Sequence, residues 1–233
     1  MWAVFNIKIA DVSIGIENKY NYIQHMCRDY LTNDPALFSV SASDEEILRE
    51  NIGEEDYPAA YLETLALYRK IAERLYEYNG FLMHGVLLST EGKGILLCAE
   101  SGTGKTTHAR LWLCLPGRTC EIINGDKPLI RIIDGKPVAY GTPWCGKEGI
   151  NKNSSVVLTD VCFIERAKEN RTLPLPKEEV LQKLLPAIHI PGKGAGEVLE
   201  AIDVFAKNVK FWRIECNMDI SAAETAYKEI MNE

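Results

Sequence analysis

The chain has 233 residues, 46% of them hydrophobic and 25% charged, with a formal net charge of −7. That length allows one large domain, or a domain with an appendage, and a substantial buried core. The acidic balance argues against a nucleic-acid partner, because backbone phosphates demand clustered Lys and Arg, but it is compatible with a local basic pocket for a nucleotide. The seven cysteines (27, 98, 114, 120, 145, 162 and 216) are odd in number and show no CxxC spacing, and Cys98, Cys162 and Cys216 sit inside apolar runs. They read as reduced thiols, not as a zinc site or a disulfide frame. The N-terminal MWAVFNIKIAD lacks a basic leader, and no apolar run approaches the length of a membrane span, so the expectation is a cytoplasmic protein with no membrane partner.

In chain order, residues 2–16 read as two strand-like pieces on either side of Ala10-Asp11, and Ala36–Val40 as a third short strand. Ser43 and Glu46 have capping-box spacing and predict a short helix. A longer helix is expected from Ala59 to Tyr78, with Tyr61, Leu65, Tyr68, Ala72 and Leu75 as an apolar stripe facing the core and Asn79-Gly80 as its stop. Two apolar strands follow, Phe81–Leu88 and Gly94–Ala99, then a glycine-bearing loop and a helix through Leu115. Glu121–Asn124 reads as a buried strand. Leu129–Ile133 and Pro137–Tyr140 form a hairpin through Asp134-Gly135, and Val161–Ile164 is another strand. Glu178–Leu185 and Gly196–Lys207 read as helices, Val209–Cys216 as a strand, and Ser221–Met231 as a last helix opened by a Ser221/Glu224 box. Strands and helices mix throughout, without repeats. The class is therefore α/β or α+β, with a boundary near residue 80 and a nucleotide-binding core from there to the end.

The loop Ala99-Glu-Ser-Gly-Thr-Gly-Lys105-Thr106-Thr107 carries the functional argument. A phosphate-binding loop needs glycines so that successive amides curl around an anion, a Lys for the β and γ oxygens, and a neighbouring hydroxyl for Mg²⁺. It also needs the N-terminus of a helix, which favours negative charge. Ser101, Gly102, Thr103, Gly104, Lys105, Thr106 and Thr107 supply this set, between the strand GILLCA and the helical THARLWLCL. Ala99 stands where the strict pattern has its first glycine.

Phosphoryl transfer to an alcohol needs, besides the loop, an acid near the metal and a group to take the hydroxyl proton. Asp126, directly after the strand CEIING, stands at a strand end where α/β proteins bind ligands; an Asp starting a turn before Lys127-Pro128 is the plainer reading. Glu165, at the end of VCFIE, ranks second, since Arg166 and Lys168 beside it suggest a solvated ion pair. His84 lies in the apolar FLMHGV, where a hydrogen-bonded core histidine is the commoner role. Lys147, in GTPWCGKEG, is a loop cation suited to phosphate or simply to solvent. His25, His108 and His189 have no motif around them and read as structural.

The order His-Gly, strand, AESGTGKTT, helix, strand ending in GDKP, hairpin, GTPWCGKEG resembles the catalytic domain of HPr kinase/phosphorylase. It is closer still to the short HPr-kinase-like proteins, whose fold is related to the nucleotide domain of phosphoenolpyruvate carboxykinase. The likeness covers roughly residues 81–215. It implies a mixed sheet with flanking helices in residues 81–233, a small α+β extension over residues 1–80 packed on it, and ATP with Mg²⁺ as donor and cofactor. It makes His84 a catalytic candidate with Lys105 and Asp126, and gives Thr106 and Asp126 the metal. The family's acidic pair is reduced here to Asp126, with Gly125 in the first position. The glycine-rich family segment tied to protein dephosphorylation is replaced by GTPWCGKEG. The resemblance thus implies serine-type hydroxyl chemistry on a small molecule, a peptide or an HPr-like protein, without choosing among them; a catalytically weak ATP-binding module is the alternative, and the oligomeric state stays open.

Overall fold

The computed structural model of the protein describes residues 3–52, 56–100 and 102–231. Its first sheet has three strands. β1 (Ala3–Ile9) and β2 (Val12–Asn18) form a hairpin, and β3 (Phe38–Ser41) lies parallel to β2. Ala10 and Asp11 both adopt positive φ, 49° and 56°, the left-handed pair that a two-residue turn between right-twisted strands requires. α1 (Tyr22–Met26) joins β2 to β3, α2 (Asp44–Arg49) starts at the Ser43/Glu46 capping box, and α3 (Ala59–Ala72) covers the sheet. Ile7, Ile9, Ile14 and Ile16 pack with Leu62, Ala66, Leu67 and Ile71 of that helix in one cluster. The same cluster takes in Leu129, Tyr140 and Trp144 from the second sheet, so the two sheets share a core. Arg131 donates to the Ala10 carbonyl at 2.8 Å and the Tyr140 hydroxyl to Asp11 at 2.6 Å, pinning the hairpin turn to the larger sheet.

That sheet has ten strands, β4 (Gly80–Met83), β5 (Val86–Thr90), β6 (Lys93–Cys98), β7 (Cys120–Asn124), β8 (Leu129–Ile133), β9 (Lys136–Tyr140), β10 (Ser155–Arg166), β11 (Arg171–Pro174), β12 (Ile188–His189) and β13 (Lys210–Cys216). β10 is the hinge of the topology. Ser155–Val157 pair antiparallel with β9, and from Leu158 the strand runs parallel to β6 on one side, with a register irregularity between Leu158 and Asp160. From Asp160 on it runs parallel to β13 on the other side. β6 is buried on both faces, as its unbroken ILLC run requires of a central strand. α4 (Lys105–Leu113) and α7 (Ile220–Met231) cover one face, and α5 (Lys177–Leu184) and α6 (Ala195–Asn208) the other.

Four expectations need correction. Phe81–Leu88 is not one strand: the chain breaks at His84-Gly85, and β4 pairs with β8 and β12 while β5 pairs with β6 and β7. The apolar run concealed the break because both pieces are buried. The helix from 59 ends at Ala72, a separate turn follows over Leu75–Tyr78, and Asn79 at φ 55° makes the stop. Tyr61 is exposed rather than part of the core stripe. Ser221 lies inside α7, where it accepts a hydrogen bond from Asn170, so no capping box forms there. No helix among the described residues is long and apolar enough to cross a membrane.

His108, on the buried face of α4, is 2% exposed and its Nε2 has no partner among the described residues. Burial pushes its imidazole down to about 4 from an ordinary 6.5. A lowered histidine binds its proton more readily in the unfolded chain, so stability is lost as pH falls below about 6.5 and the loss levels off below about 4. The expected loss from this group between pH 7.5 and 4.5 is about 2 to 3 kcal/mol. Urea unfolding of the wild type and His108→Leu at both pH values checks this: the variant should lose less stability on acidification, and equal losses would refute the assignment.

Candidate active site

The sheet brings three chain segments to one edge. β6 ends at Cys98 and leads into the glycine loop, with Cys98 paired to Phe163 of β10. β5 runs antiparallel to β6, so its start, just after His84-Gly85, lies beside the end of β6. β7 is antiparallel to β5, with Leu87 opposite Asn124, and its end delivers Asp126 to the same place. The strand break at His84 is therefore what frees that side chain to reach the site.

The loop itself has the shape the sequence expects. Gly102 and Gly104 take φ of 76° and 120°, and a Cβ built on either would meet nothing within 4 Å, so the conformation rather than crowding requires glycine. Lys105 opens α4 and donates to the Ala99 carbonyl at 2.8 Å, folding back over the loop. Thr106 and Thr107 follow in the first turn, partly exposed, and Ser101 lies outside the described residues. The open loop, the helix N-terminus and the cation fit a polyphosphate.

The His84 Nε2 and Asp126 Oδ1 are 2.8 Å apart. Burial alone would raise the Asp126 carboxyl. The hydrogen bond and charge of His84, with the fields of Lys127 and Lys105, outweigh that and hold it below its ordinary value. Thus Lys105, His84 and Asp126 come together, and a hydroxyl at Thr106 with a carboxylate at Asp126 offers the hard oxygen ligands that suit Mg²⁺. Lys147 is exposed, in the turn between Gly146 and Gly149, where its neighbour Glu148 pairs with Arg110. Glu165, the second-ranked acid, pairs with Lys183 and with Arg213.

Two functional positions escaped the sequence reading. Asn124 is fully buried: its Oδ1 accepts the amides of Asp126 at 3.0 Å and Lys127 at 2.7 Å, and its Nδ2 donates to the Thr142 carbonyl and hydroxyl. An Asn at a strand end before Gly-Asp was the available signal, since such side chains bond the backbone two residues on. Arg166, three residues past the partner of Cys98, reaches back from β10 and donates to the carbonyls of Gly102 and Thr103. Its sequence neighbours Glu165 and Lys168 masked this by suggesting a local ion pair.

Two clefts meet here. The larger, about 1080 Å³, runs along the glycine loop and is lined by His84, Gly102, Thr103, Glu165 and Arg166 among others. The second, about 380 Å³, opens on the far side of Asp126, between the core and the elements that precede residue 80.

Gly125 is closely packed. A Cβ there would stand 2.7 Å from the Cys145 carbonyl oxygen and 3.3 Å from that of Ile150. An acid in that position would have to push the 145–150 turn away, so the single acid is built into the packing.

No protein-family model matches the chain, and no curated protein matches it in sequence. Among solved structures it is similar to the HPr(Ser) kinase/phosphatase from Coxiella burnetii, with a TM-score of 0.38 and 9% identity, over 65% of this chain and 93% of that one. The likeness is distant.

Two outcomes follow from this geometry. Asn124→Ala should cost about 3 kcal/mol in denaturant unfolding, because it orphans two amides and two acceptors in a sealed site; a loss under about 1 kcal/mol would show that solvent or the backbone replaces it. Arg166→Ala should speed amide exchange at residues 102–104 without changing exchange in β6, and unchanged loop exchange would mean the guanidinium does not hold the loop.

Proposed function

We propose that the protein is an ATP- and magnesium-dependent phosphotransferase that moves the γ-phosphate to an alcohol, with residues 1–80 as an extension on a P-loop kinase domain of residues 81–233. The observation that carries the reading is the hydrogen-bonded His84–Asp126 pair at the same sheet edge as the glycine loop and Lys105. Each half is weak alone. A glycine loop binds phosphate in many folds, and a His–Asp pair is common, but an anion cradle beside a carboxylate that faces a second cleft is what a transfer reaction needs.

In this reading the loop amides and Lys105 hold the β and γ phosphates, and the Thr106 hydroxyl and Asp126 carboxylate would hold Mg²⁺, which neutralises phosphate charge. The acceptor oxygen attacks the γ phosphorus, the bond from that phosphorus to the bridging β oxygen breaks, and ADP leaves. The hydroxyl proton passes to Asp126. A carboxylate held below its ordinary value is a weak base, which suits a loose transition state where the proton leaves late and positioning matters most. Lys147, exposed at its turn, is the outlying member of the proposed set.

A second reading has its own support. Because the position of the first family acid is filled by Gly125 against the Cys145 carbonyl, the turn after β7 carries one carboxylate, Asp126, where two are expected from the resemblance. A nucleotide-responsive module with little turnover is consistent with that. Gly125→Asp does not discriminate between the readings, since the substitution also displaces the turn.

Phosphorus NMR with Mg-ATP and a pool of serine, threonine, simple polyols and purified HPr protein separates them. A new phosphoester signal, lost in Lys105→Ala by at least about a hundredfold, is the expected result. ATP bound but unconsumed with every acceptor would favour the module, and no ATP binding at all would end both readings.

A further inference from the structure

We infer that α5 and the turn after it, Leu185–Ala187, form a gate over the glycine-loop cleft, held shut by two ion pairs and opening while the sheet stays folded. That a nucleotide holds the gate closed rests on the phosphotransferase reading; the opening itself does not. The lining of the cleft places the gate. Gly102 and Thr103 of the loop lie along one part of it and Glu179 and Lys183 of α5 along another, with Phe163 and Glu165 of β10 also in the lining. A ligand that fills the cleft from the loop therefore meets α5.

Little apolar surface holds α5 down. Leu184 alone of its residues is buried, with Val180 packed partly against the same core, while Leu181 and the following Leu185 are exposed. By contrast α6, on the same face of the sheet, buries Val198, Ala201, Ile202 and Phe205. What remains for α5 is charge. Lys183 pairs with Glu165 and Glu179 with Arg213, which ties the helix to the neighbouring strands β10 and β13. All four side chains are partly exposed, so water and salt compete for them. The seat is also incompletely satisfied. The buried Nε of Arg213 has no hydrogen-bond partner among the described residues, and Glu165 lies 3.6 Å from it. A sealed donor without a partner favours the state in which water reaches it.

The segment is anchored firmly only at its ends. The Leu175 amide donates to the Phe211 carbonyl at 2.8 Å, and Ile188 and His189 pair with Met83 and Leu82. Pro176 and Pro186 stand just inside those anchors and bring no amide to bond to the sheet. A helix of eight residues does not persist once lifted from its support, so opening melts α5 and exposes its amides. The Ala187 carbonyl accepts the His84 amide at 2.7 Å. The far end of the gate is thus joined to the backbone of the His84–Asp126 pair.

Amide exchange of the full chain, read by NMR with α6 as internal reference, tests this. Relative to unstructured-peptide rates, α5 should exchange at least about a hundredfold faster than α6. Raising salt from about 0.05 to about 0.5 M should speed α5 at least about threefold and leave α6 unchanged. Lys183→Met should speed α5 at low salt and shrink its response to added salt. Saturating Mg-ATP should slow α5 and the His84 amide at least about tenfold. Equal protection of the two helices overturns the gate, as does α5 exchange indifferent to both salt and Lys183→Met. Mg-ATP that binds without slowing α5 overturns the link to nucleotide. A chain that does not bind Mg-ATP brings down the phosphotransferase reading, and salt-dependent opening of α5 would then still establish the gate.

Discussion

Much of this molecule turns on how one buried amide holds a short turn in place. Asn124 stands at the end of β7 with no exposure to solvent, and its two polar ends are divided between two loops: the oxygen grips the Asp126 and Lys127 amides, the nitrogen the Thr142 carbonyl and hydroxyl. Inside a sealed region such bonds are hard to exchange for water, so they fix where the backbone can go. The Lys127 carbonyl is then bonded by the Tyr68 and Thr142 hydroxyls, and the Asp126 carbonyl by the Gly85 amide. The Asp126 side chain, His84 and the first sheet's covering helix are thereby tied to a single point.

The consequence is a site with little tolerance. Gly125 sits against the Cys145 carbonyl, and a Cβ at Gly146 would stand 3.0 Å from that of Asp126. Close packing of backbone against the acid keeps its orientation narrow, which is what positioning chemistry asks for, and leaves no room for a second acid at 125. On the other side, Arg166 holds loop carbonyls from β10. The glycine loop and Asp126 are therefore steadied independently, by different strands.

The sequence made some of this visible. The glycine loop was legible because its chemistry is local: glycine spacing, the Lys and the strand–loop–helix pattern all fall within a dozen residues. The first hairpin, the Ser43 cap and the Asp134-Gly135 turn were legible for the same reason. The break at His84-Gly85 was not, because both halves are apolar and only the sheet decides that they pair with different partners. Arg166 reaches back 63 residues to Thr103 and Asn124 ties its turn to Thr142, 18 residues on, so their neighbours in sequence suggested ordinary roles. Tyr61 kept helical spacing yet faces a cleft, since the helix's periodicity does not say which of its edges a second cleft will use.

Phosphate binding at this edge is the point on which the proposed function depends. Backbone amide NMR of the full chain titrated with Mg-ATP tests that directly. The expected result is large shifts at Gly102–Thr107 and at residues 124–126, with β1 and β2 unmoved. Saturable binding that leaves the glycine loop unshifted, or no binding at millimolar nucleotide, would contradict it.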